Sequence, residues 1–166
     1  VDEDGSILEA NEEGELEIRG PFLLSNYYFN NKANESSFTE DGWFKTGDLG
    51  RIDKYGHVVI CGRNKELIIA KGFNVYPQEI INCLVEHPAV SEAVVIGVTD
   101  QHAGELVKAY IVLSPGLTVS EQEIMDYCRE HLASFKVPKS VKFIDELPRN
   151  AMGKIQLNNL PERDQL

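Results

Sequence analysis

The feature that most constrains this sequence is a change of rhythm at Gly62. Downstream of it, apolar runs at strand spacing alternate with apolar stripes at helical spacing, which is the pattern of an α+β domain. Leu67 to Ala70 reads as a short strand and Lys71 to Tyr76 as a loop. Pro77 suits the first position of a helix, where its missing N–H would be unpaired anyway. Ile80, Ile81, Leu84 and Val85 then form a helical stripe that Pro88 ends. Ala93 to Val98 and Leu106 to Leu113 are β-branched runs of the kind that buried strands use. Ser120 and Glu123 stand at capping-box spacing, and Ile124, Tyr127, Cys128 and Leu132 follow on one helical face. A turn at Lys136 to Lys139 leads to a third strand through Val141, Phe143 and Ile144. The expectation is a small domain in which two packed helices cover one side of a three-stranded sheet.

Upstream of Gly62 the pattern is that of a small all-β region. In Glu15 to Gly20 the period of two puts Leu16 and Ile18 on one strand face. Trp43 to Asp53 and Gly56 to Cys61 read as strands joined by the turn Asp53-Lys54-Tyr55-Gly56. Asn26 to Asp41, rich in Asn and Ser, reads as a loop holding Tyr27, Tyr28 and Phe29 as a packed island. The expected division is a terminal β segment over residues 1–62 and an α+β domain over residues 63–166.

Charge narrows the partners. The chain carries a net charge of -11, and eleven of its acidic residues lie between Val1 and Asp41 against only Arg19 and Lys32. Such a chain has no basic stripe for nonspecific nucleic-acid binding. No run approaches the roughly eighteen apolar residues of a membrane span, and the acidic N-terminus is unlike a secretory signal. Cys61, Cys83 and Cys128 are odd in number and far apart, so they read as reduced residues rather than a disulfide framework or metal site. A cytoplasmic, soluble protein is expected.

Four ordered stretches carry chemistry. Phe44-Lys45-Thr46-Gly47-Asp48-Leu49 places an aspartate, able to accept two hydroxyl hydrogen bonds, beside a glycine that permits close approach. Gly62-Arg63-Asn64-Lys65-Glu66 sits at the change of rhythm, and Gly72-Phe73-Asn74-Val75-Tyr76-Pro77-Gln78-Glu79-Ile80 leads into the first predicted helix. Leu147-Pro148-Arg149-Asn150-Ala151-Met152-Gly153-Lys154 puts a lysine on a glycine turn. Taken singly, each has an ordinary explanation as a surface turn or a solvated side chain.

Together, and with Gly14-Glu15-Leu16 upstream, these stretches resemble the C-terminal end of the adenylate-forming superfamily. That superfamily comprises acyl-CoA synthetases, luciferases and peptide-synthetase adenylation domains. The resemblance implies that Asp48 and Arg63 hold the ribose of ATP, that Lys65 is a hinge between a large and a small domain, and that Gly72 lines the pantetheine tunnel of CoA. It further implies that Lys154 is catalytic, delivering positive charge between a carboxylate and the α-phosphate. The family often follows this lysine with basic residues, whereas Ile155 to Leu160 has none.

The Phe-Asn-Val-Tyr-Pro loop looks closer to acyl-CoA synthetases than to peptide-synthetase domains, so the resemblance implies a carboxylate:CoA ligase, which forms acyl-AMP from a carboxylic acid and ATP with Mg2+ and then passes the acyl group to CoA. The phosphate loop and Mg2+ site belong to an upstream large domain with no counterpart here, so the isolated chain is expected to be inactive. A luciferase-like enzyme, a peptide-synthetase adenylation domain and a noncatalytic interaction module of the same fold remain alternatives. His57, His87, His102 and His131 lack zinc-ligand spacing. Asp100, His102 and Glu105 read as a solvated turn between strands rather than a catalytic cluster.

Overall fold

The computed structural model describes residues 1–100, 104–161 and 163. The chain divides into two compact units, Val1–Lys65 and the remainder from Glu66.

The first unit is an antiparallel sheet in the order β1-β2-β3, built from β1 (Gly14–Ile18), β2 (Phe44–Ile52) and β3 (Val58–Arg63). All three strands fall in the stretches expected to form them, with β3 running past Cys61 to Arg63. Asp53 tightens the β2–β3 turn because its carboxylate accepts the N–H groups of Tyr55 and His57 at 2.8 and 2.9 Å. The stretch expected to be a loop contains a helix, α1 (Asn31–Ser37). Asn30 supplies the missing signal, since its side chain accepts the Ala33 N–H at 3.1 Å and caps the first turn. The aromatic island is not packed either: Tyr28 and Phe29 touch edge to face at 4.5 Å but remain 87% and 89% exposed.

The second unit is α+β. Its sheet runs β5-β4-β7-β6, with β8 also paired to β7. The members are β4 (Ile68–Ala70), β5 (Phe73–Val75), β6 (Val90–Asp100), β7 (Gly104–Leu113) and β8 (Ser140–Phe143). The three expected strands β6, β7 and β8 are adjacent, with β6–β7 antiparallel and β7–β8 parallel. The segment read as a loop after Ala70 instead turns back as β5. Ala70 pairs with Phe73 across a two-residue turn in which Lys71 and Gly72 both have positive φ, +52° and +82°. That is the geometry of a type I′ turn, whose twist matches its flanking strands.

Helices α2 (Pro77–Val85) and α3 (Glu121–His131) bury Ile80, Leu84, Ile124 and Cys128 against Val95, Val107, Ala109 and Ile111 on one sheet face. Both reciprocal bonds of the Ser120–Glu123 capping box are present. Alternation along β6 and β7 sends Val94, Ile96, Val98 and Tyr110 to the other face. The tail covers that face with Leu147, Ile155, Leu157 and Leu160, while the Tyr110 hydroxyl donates to the Pro161 carbonyl at 2.9 Å. Ile155, Leu157 and Leu160 are therefore an anchor for the segment carrying Lys154.

All three cysteines are free. Burial raises the thiol pKa of Cys83 and pushes that of Cys128 up to about 12, which makes both inert packing residues. Among the described residues no helix is long and apolar enough to cross a membrane.

Candidate functional site

In the first unit the structure brings Asp48 and Arg63 together. They face each other across the β2–β3 ladder, and Arg63 Nε lies 3.0 Å from Asp48 Oδ1 with side chains 27% and 56% exposed. The part of β2 that presents Asp48 is fixed from both sides by side chains. Thr46 Oγ1 donates to the Leu16 carbonyl at 2.6 Å and accepts the Asp48 N–H at 3.0 Å. Glu15 Oε1 accepts the Gly47 N–H at 3.1 Å. The Gly-Glu-Leu strand and the Thr-Gly-Asp stretch are thus two halves of one construction. It holds a partly exposed carboxylate beside open space at Gly47. Such a group accepts hydroxyl hydrogen bonds.

Lys65 lies exposed in a single 3₁₀ turn over Asn64–Glu66, and the two units divide immediately after it. In the second unit, Gly72 is at the tip of the β4–β5 hairpin, where a Cβ would meet nothing within 4 Å. Its positive φ explains the glycine locally, and the bare backbone faces open space. Phe73 beside it stacks on Phe135 with ring centroids 4.7 Å apart.

Lys154 follows a tight turn. The Gly153 N–H donates to the Asn150 carbonyl at 2.8 Å, and Asn150 Oδ1 accepts the N–H groups of Met152 and Lys154 at 3.0 and 2.9 Å. Gly153 has φ +79°, and the bridge Arg149↔Ile155 closes a small hairpin around it. Arg149 Nη1 also donates to the Gly153 carbonyl at 2.9 Å while Nη2 pairs with Glu92 on β6. The backbone at Lys154 is therefore held firmly, whereas its exposed ammonium has no ion-pair partner among the described residues. A charge so placed is available to an anion.

Among the described residues no group of three or more His, Cys, Asp or Glu side chains could hold a metal ion. His131 Nδ1 lies 2.8 Å from the Tyr127 carbonyl at the end of α3. His102 lies outside the described residues. Glu105 is not in a solvated turn: it is part of β7, and its carboxylate accepts the Ile69 N–H at 2.7 Å.

Residues 79–154 match the model of the AMP-binding enzyme C-terminal domain. The chain is 42% identical over 162 residues to the 2-succinylbenzoate–CoA ligase of Bacillus subtilis, an alignment covering 98% of this chain and 33% of that protein. It is 43% identical to ATP-bound MatB from Rhodopseudomonas palustris, with a TM-score of 0.90, 97% of this chain covered and 32% of the other. The O-succinylbenzoate coenzyme A synthetase MenE from Bacillus subtilis, in complex with ATP and magnesium ion, is 42% identical with a TM-score of 0.87, covering 96% and 33% of the two chains. The chain spans about one third of the length of the relatives it matches. The chain therefore carries the C-terminal domain of the AMP-binding enzymes, and it matches adenylate-forming CoA ligases over nearly its whole length.

Proposed function

We propose that this chain is the C-terminal portion of an ATP-dependent carboxylate:CoA ligase, which joins a carboxylic acid to AMP with loss of pyrophosphate and then transfers the acyl group to the thiol of CoA. The observation that carries the reading is the Lys154 turn: a rigid backbone hairpin presenting an ammonium with no ion-pair partner among the described residues. Preorganised positive charge of this kind stabilises the charge that builds on the α-phosphate during attack by a carboxylate. Asp48 accepts hydrogen bonds from the ribose hydroxyls, and Arg63 orients its carboxylate while offering further donors. Lys65, in the turn where the units divide, absorbs the backbone rotation that exchanges one half-reaction for the other. Gly72 forms part of the wall along which the thiol approaches, where a side chain would fill space.

Magnesium would belong to the first half-reaction, where it would act through the phosphates of ATP and residues of the large domain. The names of the similar proteins, 2-succinylbenzoate–CoA ligase and O-succinylbenzoate coenzyme A synthetase, favour CoA as the acyl acceptor. A cytosolic setting accords with three free thiols.

The test is carboxylate-dependent exchange of pyrophosphate into ATP by the complete parent protein, followed by thioester detection on adding CoA. Exchange and thioester formation are expected across some part of a carboxylate panel, and neither from the isolated chain. Light emission with a luciferin, acylation of a carrier domain, or no exchange at all would instead indicate the luciferase-like, peptide-synthetase or noncatalytic alternatives.

A further inference from the structure

The β4–β5 hairpin is held to the sheet by little backbone pairing. β4 is three residues long, and among the described residues it meets β7 at one ladder pair, Ala70↔Gly104. Ile68 and Val75 anchor one side of the hairpin in the core, at 1% and 0% exposure. On the other side the Ile69 N–H donates to Glu105 Oε2 at 2.7 Å, so a side-chain carboxylate from β7 serves as acceptor next to the Ala70↔Gly104 pair. A charged acceptor makes a stronger bond than a neutral carbonyl.

A second observation is independent of that bond. Gly97 sits within β6, where a glycine weakens a strand. A Cβ there would lie 2.8 Å from Glu105 Oε1, 2.9 Å from its Cδ and 3.2 Å from Ile68 Cγ2. β6 therefore leaves room for this carboxylate to lie across the sheet and reach the hairpin.

We propose that Glu105 is a positioning residue for the thiol-transfer half-reaction. By fixing Ile69 it sets the placement of the hairpin tip at Gly72, and Gly97 supplies the space it needs. The kinetic part rests on the ligase reading above, whereas the tether itself does not.

Two measurements separate these parts. Amide hydrogen exchange at Ile69 in this chain tests the tether: Glu105→Ala should accelerate it at least tenfold, and Glu105→Gln, which retains an acceptor oxygen, should restore most of the protection. Step-resolved kinetics of the complete parent test the role. In Glu105→Ala the thioester step from preformed acyl-AMP should fall at least tenfold more than pyrophosphate exchange does, with a raised KM for CoA and recovery in Glu105→Gln. Gly97→Ala, which displaces the carboxylate without removing it, should show the same bias. Unchanged exchange at Ile69 in Glu105→Ala would overturn the tether. Faster exchange with equal loss in both half-reactions would overturn the positioning role. A wild-type parent inactive in both steps would overturn the ligase reading and the kinetic claim with it, leaving the tether decided by Ile69 alone.

Discussion

The two units use their apolar residues in opposite ways. In the second, two layers of side chains close over both faces of the sheet, helices on one and the tail on the other. In the first, Leu49 is the one hydrophobic residue buried, while Val58, Val59 and Ile60 of the edge strand are 56%, 40% and 64% exposed. Consecutive exposed positions on a strand mean that both of its faces are bare. Such an edge is a surface built to be covered. The first unit thus has the strand pattern of a folded sheet without a core to go with it, whereas the second completes its own core. The nucleotide-contacting pair Asp48–Arg63 proposed above stands in the dependent unit, and Lys154 in the self-sufficient one.

The sharpest way to break this contrast is to separate the units. A piece beginning at Glu66 should fold and melt cooperatively by circular dichroism, while residues 1–65 alone should show no cooperative transition. A cooperative melt of the shorter piece would erase the distinction.

Single substitutions sharpen it further. Leu84→Ala empties a fully buried site between α2 and the sheet, and should lower the stability of the second unit by about 2–5 kcal/mol in urea unfolding. Ile60→Ala, at an exposed site, should stay within about 0.5 kcal/mol. Equal losses would mean that the first unit has a core of its own.

A smaller effect is expected at the α3 cap. Ser120→Ala should cost about 1 kcal/mol at neutral pH. The Ser120 backbone N–H and hydroxyl hold the Glu123 carboxyl below its ordinary value of 4.5. A folded-state pKa depressed in this way contributes stability that is present above the unfolded value and is lost as pH falls through the folded one. Acid titration of the second unit's stability should therefore flatten below pH 4.5 in Ser120→Ala, and an unchanged slope would remove the cap from the account.

How much of this was legible depended on whether a pattern had a period. β6, β7, α2 and α3 announce themselves because their buried residues repeat at two or at three to four. α1 did not, since its helix rests on the Asn30 side chain and buries nothing. β5 hides in the sequence because its turn puts Lys71, rather than Asn or Gly, at a positive φ. The second sheet face was hidden because Leu147, Ile155, Leu157 and Leu160 are spaced irregularly and join only in three dimensions. At the candidate site, the motif residues were read from a resemblance, and no local pattern distinguishes Asp48 from any turn aspartate. Glu15, Thr46 and Glu105 act through backbone atoms distant in sequence, while Arg149, which bonds the nearby Gly153 carbonyl, is tied to β6 through Glu92. One signal was present: Gly97 interrupts an otherwise β-branched run, and such a glycine marks a close approach.

The central claim, that this chain supplies the adenylation lysine of a CoA ligase, is tested most directly by Lys154→Ala in the complete parent, shown first to melt like the wild type. Carboxylate-dependent pyrophosphate exchange should fall by about a hundredfold or more, the usual scale for losing a preorganised transition-state donor. CoA thioester formation from supplied acyl-AMP should fall much less. A Lys154→Ala enzyme that exchanges pyrophosphate at the wild-type rate would contradict the account.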